Sequence, residues 1–214
     1  MATPIPTATL PFESAAECQE VPTCAKDRIL RAAQNLFYRY GIRAVSVDAI
    51  AAEAGTTKVT LYRVFSSKDE LVAQCLQDQT RRFWQWWDAT VAEHEGNPRA
   101  QIDALFELLQ CRICAKEADR GCPIANTAVE VVDEDHPAKQ IIRDHGKEIA
   151  RRLRVLCREM GARRPDELGD ALTLLVSGVF SARVVFDSTE QVKAVGEAAQ
   201  ALLESPVLGI PPKT

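Results

Sequence analysis

The chain of 214 residues has no run of about 18 apolar residues, so its sequence predicts no membrane-spanning helix. It also lacks a Gly-x-Ser-x-Gly motif, a phosphate-binding loop and a dinucleotide fingerprint, and it has only three histidines. These absences argue against an enzyme. No segment alternates apolar and polar residues with a period of two, which predicts a protein without β-sheet.

The first 23 residues contain four prolines and three acids, but no Lys or Arg. This composition lacks the basic start of a signal peptide and predicts a flexible N-terminal arm over residues 1–23. The chain has seven cysteines. An odd number without an export signal predicts reduced thiols in a cytoplasmic protein.

What the chain does have is a compact series of helix signals between Asp27 and Leu71. The pattern predicts a first helix from near Lys26 to Tyr40, ended by Gly41. Ser46 is a suitable N-cap for a second helix, whose inward stripe consists of Val47, Ile50, Ala51 and Ala54. A tight turn at Ala54-Gly55-Thr56 follows.

A third helix, capped by Thr56 or Thr57, is predicted to bury Leu61 and Phe65. Its other face carries basic, hydroxyl and β-branched side chains where a buried helix would carry leucine. Such side chains bind phosphates and base edges when a helix enters the major groove of DNA. A fourth helix opens with a capping box of Ser67 and Glu70, which places Lys68 near the backbone of a bound duplex. The candidate DNA contacts are Ser46, Thr57, Lys58, Val59, Thr60, Tyr62, Arg63 and Lys68.

The charge distribution agrees with this interpretation. Residues 24–68 carry eight Lys/Arg against three acids, a balance of +5. The whole chain carries −4, so the remaining residues sum to −9. A basic module on an acidic body favours DNA binding at one end of the molecule. The alternative is three ordinary surface helices with a solvated charged face.

The string from Arg28 to Val72, RILRAAQNLFYRYGIRAVSVDAIAAEAGTTKVTLYRVFSSKDELV, strongly resembles the TetR family of transcriptional regulators. The matching elements are Gly41, Ser46, Ala54-Gly55, the run Leu61–Phe65, and Ser67-Lys68 through Leu71. Many members of the family have a glycine where this chain has Val59. A branched apolar side chain there can contact a thymine methyl, so we expect a different target sequence.

The resemblance implies an all-α homodimer of about nine helices, with a helix-turn-helix DNA-binding domain (24–68) and a ligand-binding and dimerisation domain (69–204). It implies a repressor that binds a near-palindromic double-stranded operator and leaves it when a small-molecule inducer binds. We expect neither a cofactor nor a membrane partner. An enzyme or a helical scaffold are the alternatives from other classes. The three prolines after residue 204 predict a loose C-terminal tail (205–214).

Six further helices are predicted in the body from their breaks and caps. They start near Lys68, Pro98, Pro123, His136, Pro165 and Glu190. The eighth carries an apolar stripe from Leu168 to Phe180 with small residues between its members, and the ninth carries a second stripe. Paired with their symmetry mates, the two helices would form a four-helix dimer core. The alternative is that both lie inside a monomer.

The body contains two groups of candidate ligand or sensor residues. Phe83, Trp84 and Trp87 could wall a pocket for a flat ligand, although core packing explains them equally well.

The second group, Cys122, Asn126 and Glu130, resembles a string in regulators of small reactive or carbonyl compounds. A thiol at a helix N-terminus beside Arg120 would have a lowered pKa, so Cys122 is a candidate electrophile or oxidant sensor. A packed structural cysteine is the alternative. The spacing of cysteines and histidines does not favour a metal site.

Overall fold

The computed structural model describes residues 24–114, 120–185 and 190–210. The predicted N-terminal arm (1–23) and residues 211–214 lie outside the described residues. Every regular element in the described part of the chain is a helix, which confirms the predicted all-α fold class. Its helices are α1 (Ala25–Tyr40), α2 (Val47–Glu53), α3 (Lys58–Val64), α4 (Lys68–Ala92), α5 (Pro98–Cys114), α6 (Pro123–Glu130), α7 (Ala138–Glu159), α8 (Pro165–Val185) and α9 (Glu190–Leu203).

The helices α1, α2 and α3 fold around one small core together with the start of α4. Its members are fully or almost fully buried: Ile29, Ala32, Ala33, Val45, Val47, Ile50, Ala51, Ala54, Leu61, Phe65, Leu71 and Cys75. The predicted caps are present, since Ser46 Oγ accepts from the amide of Ala49 and Thr57 Oγ1 accepts from that of Thr60. Gly55 has a φ of 60° in the turn between α2 and α3. The helix caps, the turn glycine and the buried core therefore all agree with the three-helix arrangement predicted from the sequence.

The body is built from α4, α5, α7, α8 and α9 around a second, larger core. Leu105, Leu153, Leu168 and Leu172 are among its fully buried members, and Phe83, Trp86 and Trp87 pack into it from α4. In the described part of the chain no helix is long and apolar enough to cross a membrane. Because α4 contributes Leu71 to the first core and Phe83 to the second, this single helix joins the module to the body.

The prediction of a loose C-terminal tail is wrong for residues 205–210, which are held against the body. The amides of Arg163 and Arg164 donate to the carbonyls of Gly209 and Leu208, at 3.1 and 3.3 Å. Leu208 packs against the core of the body, and Gly209 is buried. Helix α9 ends at Leu203, but the chain beyond it is held by backbone hydrogen bonds to the loop between α7 and α8.

The apolar stripe of α8 lies inside the subunit rather than at a dimer surface. Leu168, Leu172, Val176 and Val179 are each at most 3% exposed within the core of the single chain. The outward side of α8 instead presents Leu174, which is 73% exposed, and the exposed Ser177 and Gly178. The periodicity identified the buried face correctly, but a buried stripe alone does not distinguish an interior helix from a dimer interface.

The segment between α1 and α2 is held by side-chain hydrogen bonds from two different helices. From the body, Glu130 at the end of α6 accepts hydrogen bonds from the amides of Ile42 and Arg43, at 2.6 and 3.2 Å. From the start of α4, Lys68 Nζ donates to the carbonyls of Ile42 and Val45, at 2.5 and 2.6 Å. We call this arrangement the Glu130–Lys68 clip.

Gly41 makes the clip possible. Its φ is 84°, and an added Cβ would lie 3.0 Å from Glu130 Oε2, so both the backbone conformation and the space favour glycine. A second contact lies nearby, where the Tyr38 hydroxyl donates to the carbonyl of Gly121 at 3.3 Å. The module formed by α1, α2 and α3 is therefore attached to α6 as well as to α4.

Replacing Glu130 with alanine should lower the free energy of unfolding by about 1–3 kcal/mol, because two backbone amides lose a charged acceptor. Thermal unfolding followed by circular dichroism measures this loss. Glu134→Ala is the matched control, since that exposed carboxylate forms ion pairs with Lys139 and Arg143 and its removal should change stability little. Equal melting temperatures for the Glu130→Ala protein and the wild type would show that the clip contributes nothing.

Candidate nucleic-acid interface and effector cleft

Helix α3 presents the outward face that the sequence predicts. Val59 is 79% exposed and Tyr62 is 44% exposed, whereas Leu61 on the opposite side is completely buried. Lys58 and Arg63 are exposed as well.

The hydroxyl candidates at the start of α2 and α3 also serve as helix caps. Ser46 Oγ lies 3.1 Å from the amide of Ala49, and Thr57 Oγ1 lies 3.2 Å from the amide of Thr60. Thr57 Oγ1 and Thr60 Oγ1 are 3.1 Å apart. These contacts fix the side-chain rotamers, so any hydroxyl that meets DNA is already positioned.

Lys58 forms an ion pair across the turn with Asp48 of α2, with a nitrogen–oxygen distance of 3.0 Å. Hydrogen bonding to this carboxylate raises the pKa of Lys58. Both side chains are more than half exposed, so the pair is weak in water. A phosphate arriving at this surface can therefore compete with Asp48 for the ammonium group.

Lys68 does not occupy the position expected of an exposed phosphate contact. Its ammonium group is directed into the Glu130–Lys68 clip and lies 5.9 Å from the centre of the Phe37 ring. Burial lowers the pKa of Lys68. The position at the start of a helix predicts an outward lysine, but the ammonium group donates instead to two carbonyl groups of the loop between α1 and α2. Its contribution is to position the loop between α1 and α2.

The capping box of α4 is formed differently from the prediction. Ser67 Oγ accepts from the amide of Glu70, as expected. The Glu70 carboxylate, however, accepts from the amide and the hydroxyl of Ser66 rather than from the amide of Ser67. This lowers the pKa of Glu70.

The aromatic segment of α4 is divided between core and surface. Phe83 and Trp87 are 2% and 3% exposed and belong to the core of the body, as the packing alternative predicted. Trp84 is half-buried, and the guanidinium of Arg152 lies 4.3 Å from the centre of its ring. Trp84 lines a cleft on the surface of the described structure.

That cleft lies between α4 and α7 and includes a residue that the sequence analysis missed. His145 is 9% exposed, and its Nδ1 is buried without a hydrogen-bond partner in the described structure. Its ring stands edge-on to Phe83 at 4.7 Å and tilted against Trp84 at 5.2 Å between centroids. Desolvation lowers the pKa of His145 to about 4, so the imidazole is neutral at pH 7. The sequence contains a signal for this burial, because His145 lies on the same side of α7 as the buried Ile149 and Leu153, at a spacing of four residues.

The structure brings Cys122, Asn126 and Glu130 together on α6, but with separate hydrogen-bond roles. Asn126 Nδ2 donates to the carbonyl of Arg120 at 2.7 Å, and Glu130 belongs to the clip. The Arg120 guanidinium donates to the carbonyl of Arg39. Cys122 is half-buried at the N-cap of α6 and packs against both the core of the body and a smaller cluster around Val72 and Leu76.

Comparisons with known proteins give one consistent result. Residues 29–75 match the family model of the N-terminal domain of bacterial regulatory proteins of the tetR family. An uncharacterised helix-turn-helix transcriptional regulator of Lactococcus lactis is 27% identical over 135 residues, which cover 61% of this chain and 69% of that protein. The transcriptional regulator LmrA of Bacillus subtilis is 24% identical over 156 residues, which cover 72% of this chain and 83% of that protein.

Solved structures extend the similarity into the body. The TetR-family regulator SCO4454 of Streptomyces coelicolor superposes with a TM-score of 0.77 at 28% identity. The match covers 83% of this chain and 93% of that chain. All of these relatives are described as transcriptional regulators. This agrees with the helix-turn-helix pattern in the sequence, which predicts a DNA-binding regulator rather than an enzyme.

The buried His145 should make the protein lose stability as the pH falls from 6.5 toward 4. In this window the unfolded chain binds a proton at this residue and the folded chain does not, so acid favours unfolding. The loss attributable to His145 is on the order of 3 kcal/mol at pH 4. Urea unfolding at a series of pH values measures it, with His145→Phe as the comparison because carboxylates titrate equally in both proteins. Parallel stability curves for the two proteins would contradict a neutral, buried imidazole.

Proposed function

Because this chain belongs to the TetR family of DNA-binding transcriptional regulators, we propose that it is a repressor that leaves its operator when a small molecule binds the helical body. The observation that carries this proposal is the outward face of α3. Leu61 and Phe65 anchor this helix, while Val59, Tyr62 and Arg63 remain available to enter a major groove.

The contacts have distinct roles in this proposal. The Arg63 guanidinium binds a guanine edge or a phosphate, and the Tyr62 hydroxyl donates to a phosphate. Val59 packs against a thymine methyl group, which sets the target sequence apart from that of relatives with glycine. Lys58 exchanges its ion pair with Asp48 for a phosphate, and the hydroxyls of Ser46, Thr57 and Thr60 contact the backbone or base edges.

A near-palindromic operator requires two recognition helices about 34 Å apart, and a homodimer provides them. The described surface supports dimerisation through the outward side of α8. Leu174 is 73% exposed there, and the neighbouring Ser177 and Gly178 allow the close approach of a second helix. The proposed contact between the two copies is therefore this exposed side of α8 and not its buried stripe.

Arg63→Ala should weaken binding to a duplex selected from a random library by about tenfold, and Tyr62→Ala by a similar factor. Fluorescence anisotropy at several salt concentrations measures the affinity and the number of ionic contacts. If Arg63 binds a phosphate, the slope of log K against log salt falls by about one in its variant. Melting temperatures should stay within the wild-type range because both side chains are exposed.

Arg158→Ala is the matched control for the loss of one positive charge, since Arg158 is an exposed arginine of α7 in the body. Its affinity for DNA should remain that of the wild type. If Arg63→Ala and Arg158→Ala weaken binding equally, the contact is non-specific, and α3 is not the recognition helix.

A second candidate function is a thiol-triggered repressor, and one arrangement favours it. Cys122 and Glu130 occupy opposite ends of the eight-residue helix α6, and Glu130 holds the loop between α1 and α2. Covalent modification of the half-buried thiol would push α6 away from the core and disturb the clip. Burial raises the pKa of Cys75 and of Cys157, the latter to about 12, so these two thiols are poor nucleophiles.

N-ethylmaleimide tests this candidate, because a thiolate adds to its double bond and the neighbouring ring carbon takes up a proton. The reagent should release the wild-type protein and Cys111→Ser from the selected duplex, whereas Cys122→Ser should remain bound. Cys111 is the control because its thiol is exposed on α5. Mass spectrometry confirms which thiol carries the adduct. Release of the Cys122→Ser protein would remove this thiol from the mechanism.

A further inference from the structure

The cleft between α4 and α7 has the size of a small-molecule site. Its volume is about 550 Å³, within the range of roughly 300–1,000 Å³ that is typical of ligand pockets. It is open on one side and contains both an aromatic wall and polar groups. Its lining consists of Thr80, Trp84, Ile141, Asp144, His145, Lys147, Glu148 and Arg151.

The charges around this cleft do not select an ionic ligand. Two acids and two bases line it, so their formal charges cancel. Glu148 already accepts two hydrogen bonds from Arg151, both at 2.7 Å, and one from Arg152 at 2.8 Å. Asp144 accepts one from Gln140 at 2.7 Å. The rim is therefore neutral as a whole, and both of its carboxylates are engaged.

Of the residues that line the cleft, His145 has a buried side-chain nitrogen left unsatisfied in the described structure. It is nine-tenths buried, yet its Nδ1 has no hydrogen-bond partner among the described residues. Buried polar atoms in proteins are almost always paired, so an unpaired nitrogen on the wall of a cleft indicates a missing partner. A neutral imidazole has one N–H and one lone pair, and it can pair with a hydroxyl or with a ring nitrogen.

The aromatic wall of the cleft lies beside this imidazole. Trp84 lines the cleft together with His145, is half-buried, and stands tilted against the imidazole at 5.2 Å between ring centroids. A planar molecule can stack against this indole, as aromatic rings do in offset or edge-on pairs. Because Nδ1 is itself buried, a ligand pairs with it only when side chains of the cleft wall rearrange.

We propose that the cleft between α4 and α7, lined by Trp84 and His145, is the effector site and binds an uncharged, planar aromatic compound that carries one hydrogen-bonding hydroxyl or ring nitrogen. This inference rests on the proposed function for its effect on DNA. The binding site itself does not depend on it.

Calorimetric titration of the DNA-free protein with 2-naphthol and with naphthalene tests the site. The hydroxyl should make 2-naphthol bind about tenfold more tightly than naphthalene, the gain expected from one buried hydrogen bond. His145→Phe keeps a buried aromatic ring but should remove this preference. His94→Phe, in the turn between α4 and α5, is the matched control and should retain it.

Thr80→Trp offers an independent test if His145→Phe unfolds, because it fills the cleft from its rim and should abolish binding of both compounds. Equal affinities for 2-naphthol and naphthalene, or unchanged binding to the Thr80→Trp protein, would overturn the site. Binding of 2-naphthol that leaves the selected duplex bound in a gel shift would overturn its assignment as the effector site. If the protein prefers 2-naphthol over naphthalene but binds no DNA duplex, the proposed repressor function is refuted and the proposed binding site is not.

Discussion

The exposed surface of α3 depends on the burial of its other side. Leu61 and Phe65 are 0% and 1% exposed, and they tie a seven-residue helix to α1 and α2. A helix this short is not stable alone in water, so its tertiary contacts provide nearly all of its stability. Because this anchor needs only two inward positions, the remaining positions are free to carry the exposed Lys58, Val59, Tyr62 and Arg63, which we propose contact DNA.

The same module is held to the body by several contacts, and the two main ones differ in chemistry. Helix α4 is a continuous covalent connection with apolar contacts at both ends, whereas the Glu130–Lys68 clip is a set of charge-assisted hydrogen bonds to one loop. Hydrogen bonds depend on distance and direction more steeply than apolar contacts do. A small displacement of α6 therefore changes the clip before it changes the core, which makes the loop between α1 and α2 the sensitive point of the molecule.

The sequence was sufficient to predict most of the structure of the module formed by α1, α2 and α3, but less of the structure of the body. Caps such as Ser46 and Thr57, and the inward pair Leu61 and Phe65, follow from local rules that act over three or four residues, and the structure confirms them. The direction of Lys68, the role of Glu130 and the unpaired nitrogen of His145 depend on contacts between residues far apart in the chain. No periodicity encodes those contacts. The buried stripe of α8 was recognised, but its partner, the core of the same subunit, was not.

Hydrogen–deuterium exchange of the protein with and without its selected duplex tests the central claim most directly. Peptides covering residues 56–65 should exchange more slowly in the complex than in the free protein, because α3 is then covered by the major groove. Peptides from α9 should be unaffected. Unchanged exchange over residues 56–65, with protection confined to the body, would show that another surface binds DNA.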